Sequence, residues 1–313
     1  MSHWFARSPV LHCNMIVALC SVWTVGCGGA AEVCARDSEC ASGFCRADGT
    51  CGPAVDGDAM PTDGEPTDGT SELCSPNHDG SIARTEVPLA AGKMANFRIA
   101  TDATFNTAGV AAGDGTRTWN LDLALANDAD RTISLLAPTG QWWAAAFPTA
   151  TYAVTLAEGS DLLGVFEIDD SALTLLGVVS PEDGSSRTEL AYDPPAKILA
   201  LPIAPAATWT TTSTVTGLAA GTVISTAFGT SYTEQYDATV DVTGTMTTPY
   251  GDFPVLRVAT DLDRRNIFAV QLEGTRSFAW IAECFGSVAN VSSQSLESAQ
   301  EFDDPAEVRR ITP

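Results

Sequence analysis

Short runs of β-branched and apolar residues, separated by polar turn residues, dominate the chain beyond residue 74. The run at 208–215, Thr-Trp-Thr-Thr-Thr-Ser-Thr-Val, shows this pattern most clearly. Glycine, proline and aspartate punctuate the runs at intervals typical of successive strands. Further strands are predicted from the same pattern at 221–228, 238–247, 253–260 and 267–272.

Turn signals join several of these runs. Two apolar runs within 162–179 are split by Asp169-Asp170-Ser171, which predicts a hairpin with a polar turn. Asp114-Gly115 predicts a second hairpin turn. The charged residues at 261–265 favour a solvated turn between two strands.

Helix signals are few. Asp304-Pro305-Ala306-Glu307 combines an N-cap acid, a proline at the first helical position and a glutamate, and predicts one short helix. Trp142 to Phe147 fits either a helical turn or a buried strand end. The sequence therefore predicts a mainly β fold, an antiparallel, strongly curved sheet or barrel with few short helices.

The N-terminal segment predicts export. Met15 to Val25 is almost wholly apolar, shorter than the about 20 residues that span a bilayer, and small residues follow it, as in a signal peptide at 1–26. Gly26-Cys27 resembles a bacterial lipobox, although Thr24 stands where that motif prefers an aliphatic residue. Lipidation of Cys27 predicts a membrane-anchored lipoprotein of the outer membrane or cell surface. Cleavage after Ala30 or Ala31 is the alternative, and gives a periplasmic or secreted soluble protein.

Cysteine usage supports an oxidising compartment. Of nine cysteines, Cys13 and Cys20 leave with the signal peptide and Cys27 is set apart by processing. An even set in an exported chain predicts disulfide bonds. That set is Cys34, Cys40, Cys45, Cys51, Cys74 and Cys284.

The first four of these cysteines predict a small disulfide module at 27–51, whose pairing the sequence leaves open. A four-cysteine zinc site is the rival interpretation. Cys74 and Cys284 are predicted to form a long-range pair, the alternative being a buried free thiol at Cys284. An acidic linker rich in Pro, Gly and Thr follows the module at 52–73, and the main β domain covers 74–313.

Charge and residue absences exclude several functions. The net charge of −23 argues against nucleic acid as a partner and leaves the lipid as the link to a membrane. Of three histidines only His78 lies beyond the signal peptide, which argues against Ser-His-Asp or Cys-His catalysis and against histidine-rich metal sites. No catalytic residue is assigned, and we expect a non-enzymatic protein. Carboxylate chemistry survives as an alternative.

The segment at 75–86 resembles an EF-hand calcium loop. Its candidate ligands are Ser75, Asn77, Asp79, Ser81 and Glu86, with Gly80 at the sharp turn. Oxygens at alternate residues can converge on one hard cation, and the distant glutamate closes the shell. Serine stands where aspartate normally begins the loop, so calcium is a weak candidate cofactor. A polar turn leading from Cys74 to the first strand is the alternative.

Aromatic residues suggest a second candidate site. In a curved sheet they could line a cavity for a lipophilic ligand, although such residues more often form a core. The candidates are Trp142, Trp143, Trp209, Phe268 and Trp280.

Two stretches carry a family resemblance. The segment at 75–88 and the run at 276–289, Arg-Ser-Phe-Ala-Trp-Ile-Ala-Glu-Cys-Phe-Gly-Ser-Val-Ala, resemble exported lipoproteins of myxobacteria and relatives that have no known activity. The aromatic at 280 followed by Gly286 and Val288 is also similar to the closing strands of LolA/LolB-like periplasmic half-barrels. That likeness implies a lipid-like ligand.

These observations lead to one expectation and two alternatives. The expected protein is a non-enzymatic exported lipoprotein that presents a β domain on a stalk, with weak structural calcium. The alternatives are a carrier or sensor of a lipophilic ligand and a carboxylate-based hydrolase. The sequence does not identify an envelope protein partner.

Overall fold

A computed structural model describes residues 74–313 of the 313-residue chain. The predicted signal peptide, the lipidation of Cys27, the disulfide module with Cys34, Cys40, Cys45 and Cys51, and the acidic linker all lie outside the described residues.

The described chain consists almost entirely of β-strands, and its only helical element is a single 3-10 turn at Arg84–Glu86. This confirms the predicted mainly β class. The strands are β1 (Met94–Thr101), β2 (Val110–Ala111), β3 (Arg117–Asn120), β4 (Ala129–Ser134), β5 (Tyr152–Thr155), β6 (Leu163–Ile168), β7 (Ala172–Val179), β8 (Glu189–Ala200), β9 (Thr208–Ala219), β10 (Thr222–Ile224), β11 (Tyr232–Thr248), β12 (Gly251–Asn266), β13 (Gln271–Ala282), β14 (Gly286–Ser292) and β15 (Glu307–Thr312).

All described strands belong to one sheet. Its main path runs β4-β1-β15-β14-β13-β12-β11-β9-β8-β7-β6-β5, with antiparallel neighbours throughout. The two ends of this path meet beyond β4, where Leu136 and Ala153 exchange backbone hydrogen bonds of 2.8 and 2.9 Å. The sheet is therefore nearly closed, like a barrel, as the sequence predicted.

Strand β11 pairs with three other strands in the part of the sheet that carries the candidate site. Its first half pairs with β9, its second half pairs in parallel with β3, and β12 follows it along its whole length. Gly244 is required at the crossing with β3, because a Cβ there would overlap the carbonyl oxygen of Arg117. The short β2–β3 hairpin thus lies directly against the β11–β12 hairpin.

Polar turn residues fix both predicted hairpins. Asp169 Oδ1 accepts hydrogen bonds from Ser171 N and Oγ, both 2.7 Å, and from Ala172 N, 2.9 Å, between β6 and β7. Asp114 Oδ1 accepts from the backbone N–H and hydroxyl of Thr116, and Gly115 adopts a left-handed φ of 90° between β2 and β3. Both predictions are confirmed.

Strand β12 separates two hydrophobic cores. Successive strand residues face opposite sides of a sheet. Leu256 and Val258 accordingly join a core built mainly from β5 to β9, with β11. Phe253 and Val255 join a second core, which residues 100–121 cover together with Phe302. Burial of each large apolar side chain contributes about 1.5–3 kcal/mol, so both faces of this part of the sheet are held in place.

A buried arginine crosses the second core. Arg257 is 3% exposed, and its guanidinium lies 4.2 Å from the ring centre of Phe278. It donates two hydrogen bonds to Asp241, two to Glu301 and one to the carbonyl of Thr107. Asp241 sits at a bulge in β11, where the register with β12 shifts. Arg257 thereby ties two covering segments to the sheet.

A third core lies outside β5–β7. Trp142 to Phe147 forms turns over these strands, with hydrogen bonds from Ala144 N to Gln141 O, 3.2 Å, and from Phe147 N to Ala144 O, 3.3 Å. The sequence left a helical turn and a buried strand end open for this segment, and the structure shows a helical-type turn.

Four local expectations are wrong in whole or in part. The strand predicted at 221–228 covers only Thr222–Ile224, because a turn follows in which Thr230 N donates to Ser225 O at 3.0 Å. No helix begins at Asp304; the chain enters β15 instead, because that strand hydrogen-bonds to β1 on one side and β14 on the other. The run at 267–270 is the β12–β13 turn, in which Asn266 Oδ1 accepts N–H bonds from Phe268 and Val270. Residues 261–265 lie within β12, where cross-strand ion pairs such as Asp261–Arg276 satisfy their charges.

Candidate functional site

A disulfide bond joins the start of the described chain to the β13–β14 turn. Cys74 and Cys284 are bonded across a sequence separation of 210, which confirms the predicted pair. Cys284 has a left-handed φ of 66°, and its N–H donates to the carbonyl of Glu86 at 2.8 Å. Both contacts hold residues 74–86 against the turn that carries Glu283 and Phe285.

The predicted calcium loop forms a hydrogen-bonded polar turn. Asn77 Oδ1 accepts from Asp79 N at 2.8 Å, and Asp79 Oδ1 accepts from Ser81 N and Oγ at 2.8 and 2.9 Å. The bonds from Ser81 lower the pKa of Asp79, so its carboxylate is charged at neutral pH. Three candidate ligands are therefore neighbours.

Glu86 is held differently. It is 5% exposed, and its Oε2 accepts the backbone N–H of Ala83 at 2.8 Å, while Oε1 is buried without a hydrogen-bond partner. A bidentate calcium ligand uses both oxygens, and Oε2 of Glu86 is already engaged by the N–H of Ala83. Ser75 is exposed at the start of the loop. Within residues 74–313 no three His, Cys, Asp or Glu side chains cluster as a metal site, and calcium binding remains a prediction.

A cavity of about 790 Å³ lies beside this loop, at the Thr248–Gly251 end of the β11–β12 hairpin. Five segments form its wall: the loop at 76–82, the β2–β3 turn, the β8–β9 connection at Pro205, the β11–β12 hairpin and the β13–β14 turn. The disulfide fixes two of the five segments relative to each other. The volume is in the range of small-molecule sites.

Three aromatic rings form one side of the cavity. Tyr250 packs edge-on to Phe285, with ring centres 5.6 Å apart, and Phe285 packs edge-on to Phe253 at 4.8 Å. Phe253 is buried, whereas Tyr250 is 49% exposed and Phe285 is 38% exposed. The cavity thus has an aromatic corner whose outer rings are open to a ligand.

Three carboxylates also line the cavity. Asp252 Oδ1 accepts from Thr247 Oγ1 at 2.6 Å, Asp114 Oδ1 accepts from Thr116, and Glu283 Oε2 accepts the backbone N–H of His78 at 3.0 Å. The Thr116 hydrogen bonds lower the pKa of Asp114. Each carboxylate uses one oxygen in these contacts, which leaves the other for a ligand. No lysine or arginine is among the described residues that line the cavity.

The aromatic residues predicted to line an apolar cavity do not meet in one place. Trp143, Trp209 and Trp280 are buried in three different cores. Trp142 packs against the third core, with its Nε1 donating to Ser180 O at 3.1 Å and Arg187 above its ring. Phe268 is 77% exposed in the β12–β13 turn. Core packing, from strands for Trp209 and Trp280 and from a covering turn for Trp142 and Trp143, fixes the four tryptophans in separate places.

Sequence reasoning missed Asp114, Asp252, Tyr250 and Phe285 as neighbours. They come from three hairpin turns far apart in the chain, so no local spacing marks them. One signal was available. The predicted Cys74–Cys284 bond brings Glu283 and Phe285 next to the loop that contains His78 and Asp79.

Comparison of the chain with family models, with curated proteins and with solved structures found no match. Among residues 74–313, no helix has the length and apolar character needed to cross a membrane.

Proposed function

We propose that this chain is a non-enzymatic exported lipoprotein whose β domain binds a small molecule in the cavity beside Tyr250. The composition of the cavity wall carries the proposal. The cavity has a volume of about 790 Å³, and its outer aromatic rings are half-exposed. Each of its three carboxylates has one oxygen that takes no part in the hydrogen bonds to Thr247, Thr116 or His78. A pocket with an apolar wall and a few polar groups is the usual form of a small-molecule site.

A binding role agrees better with the cavity than catalysis does. His78 is the only histidine in residues 74–313, and its side chain is 69% exposed beside Glu283. General acid–base catalysis relies on groups placed in a water-poor site with a tuned pKa. A carrier of a lipophilic ligand is the second candidate, favoured by the exposed faces of Tyr250 and Phe285.

Blocking the cavity tests the binding role. Thr245 is an exposed residue of the cavity wall, and Thr245→Trp would fill part of the space. Thr212→Trp makes the same change at an exposed position of β9 away from the cavity. The mature protein would be screened by thermal shift against organic cations, neutral lipids, oligosaccharides and calcium.

We expect at least one class to raise the melting temperature of the native protein and of Thr212→Trp, but not of Thr245→Trp. A ligand that binds only the folded state stabilises it by RT ln(1 + [L]/Kd). Absence of any shift, or an equal shift in both variants, would refute the binding role of this cavity.

Export and anchoring need a separate experiment. Mass spectrometry of the mature N-terminus should find Cys27 carrying acyl chains, because the apolar run and Gly26-Cys27 together favour lipidation. An unmodified chain that begins near Ala31 would overturn the anchor while leaving the binding role in place.

A further inference from the structure

We infer that the ligand of this cavity is an organic cation, an alkylated ammonium group on a small organic body. The inference rests on the proposed binding role and names the chemical class that the wall selects. Asp114, Asp252 and Glu283 bring three carboxylates to the wall, and none of the described lining residues carries a permanent positive charge. A concave surface with one sign of charge concentrates ligands of the opposite sign.

The aromatic corner favours an organic cation over a simple metal ion. The planes of Tyr250 and Phe285 meet at 69°, and those of Phe253 and Phe285 at 67°. All three rings line the same cavity, and aromatic side chains grouped around one volume are the residues that bind quaternary ammonium groups. Tyr250 and Phe285 keep 49% and 38% of their surface exposed, so both side chains are accessible to a ligand.

Competing ligand classes fit the same wall less well. An anion would meet three carboxylates and no lining arginine or lysine. A calcium ion requires six to eight oxygen ligands, whereas the three aromatic side chains together carry one oxygen, the phenol of Tyr250. A purely apolar ligand would cover the carboxylates without pairing them, and an unpaired buried charge is costly. An alkylated ammonium satisfies both the rings and the acids.

The test compares choline with its neutral carbon isostere, 3,3-dimethylbutan-1-ol, by calorimetry on the full mature protein. The two molecules have the same shape and differ in charge. We expect choline to bind about tenfold more tightly, since cation–π contacts and the carboxylates act only on the charged compound. Choline should lose its heat in Thr245→Trp and keep it in Thr212→Trp.

Two variants separate the contributions of the wall. Tyr250→Leu should weaken choline about three- to fivefold through loss of a π-face, and Glu283→Gln about two- to fivefold through loss of one charge. Asp170→Asn removes the same charge from the exposed β6–β7 turn and should leave choline affinity unchanged. Circular dichroism confirms that each variant is folded.

Other outcomes overturn the inference in distinguishable ways. Equal binding of choline and its isostere would assign an apolar site. Calcium binding that competes with choline, depends on Glu283 and ignores Tyr250 would assign a metal site. No choline heat, beside another ligand class that Thr245→Trp blocks, would refute the organic cation and leave the binding role intact. No ligand of any class would refute both.

Discussion

Replacement of Arg257 with methionine should destabilise the domain more than any comparable loss of an exposed ion pair. Arg257 is 3% exposed and uses its five N–H donors in five hydrogen bonds, two to Asp241, two to Glu301 and one to Thr107 O. Methionine keeps an unbranched apolar stem at this position but loses the guanidinium that lies over the Phe278 ring. The substitution therefore removes mainly the charge and its hydrogen bonds.

The expected cost is about 3 kcal/mol. Loss of one partner of a buried ion pair costs about 3–5 kcal/mol, because the remaining charge is left unpaired. Asp241 and Glu301 are 29% and 33% exposed, so water can recover part of their solvation and the lower end of the range applies. In a domain of this size, that corresponds to a fall in melting temperature of about 6–12 °C.

Urea unfolding, followed by tryptophan fluorescence, measures the change. Trp119 and Trp280 belong to the core that Arg257 crosses, so they report on it directly. Arg131→Met is the matched control: it removes a surface pair with Glu158 in which Arg131 is 49% exposed, and should cost less than about 1 kcal/mol.

Arg257→Lys keeps the charge but loses the two-pronged contacts, and should fall between methionine and the native protein. If Arg257→Met shifts the unfolding midpoint no more than Arg131→Met does, the hydrogen-bonded network does not stabilise the fold as argued.

Two further predictions concern stability. Cys74→Ser with Cys284→Ser opens a link across 210 residues, and chain entropy predicts a loss of about 5 kcal/mol in urea unfolding; an unchanged midpoint would show that the bond does not restrain the unfolded chain. Burial raises the pKa of Tyr152, Tyr192 and Tyr236. The free energy of unfolding is therefore unaffected by these tyrosines below their unfolded-state pKa of about 10, and falls above that pH by about 1.4 kcal/mol per pH unit for each tyrosine. Tyr152→Phe should reduce this alkaline loss of stability by about 1.4 kcal/mol per pH unit, the share of one tyrosine. An unaltered pH dependence would count against the burial of Tyr152 as its cause.

Local chemistry made part of the fold predictable. The β6–β7 turn follows from Asp169, whose carboxylate accepts hydrogen bonds from the N–H groups of Ser171 and Ala172, a contact within four residues of chain. The Cys74–Cys284 pair follows from counting, since these two cysteines remain once the predicted signal peptide, Cys27 and the four clustered cysteines are set aside. Neither inference needs to know which strands are neighbours.

Predictions failed where a distant strand decided the conformation. Asp304-Pro305-Ala306-Glu307 carries helix signals, yet the chain continues into β15 because hydrogen bonds to β1 and β14 outweigh local preference. The charged residues at 261–265 favour a solvated turn when the sequence is considered alone. In the sheet, the strand register places Asp261 opposite Arg276, and the two form an ion pair. Pairing partners, and not composition, determine these segments.

The same limit explains why the sequence suggested a different set of aromatic residues for the ligand site. Four of the five aromatic candidates were tryptophans, but in a nearly closed sheet with both faces covered these side chains fill cores. Residues left open to a ligand lie instead in turns, where no neighbouring strand covers them, as Tyr250 and Phe285 do. The Cys74–Cys284 bond joins two of these turn and loop segments, so the oxidising compartment that the N-terminus predicts is also a condition for a rigid cavity wall.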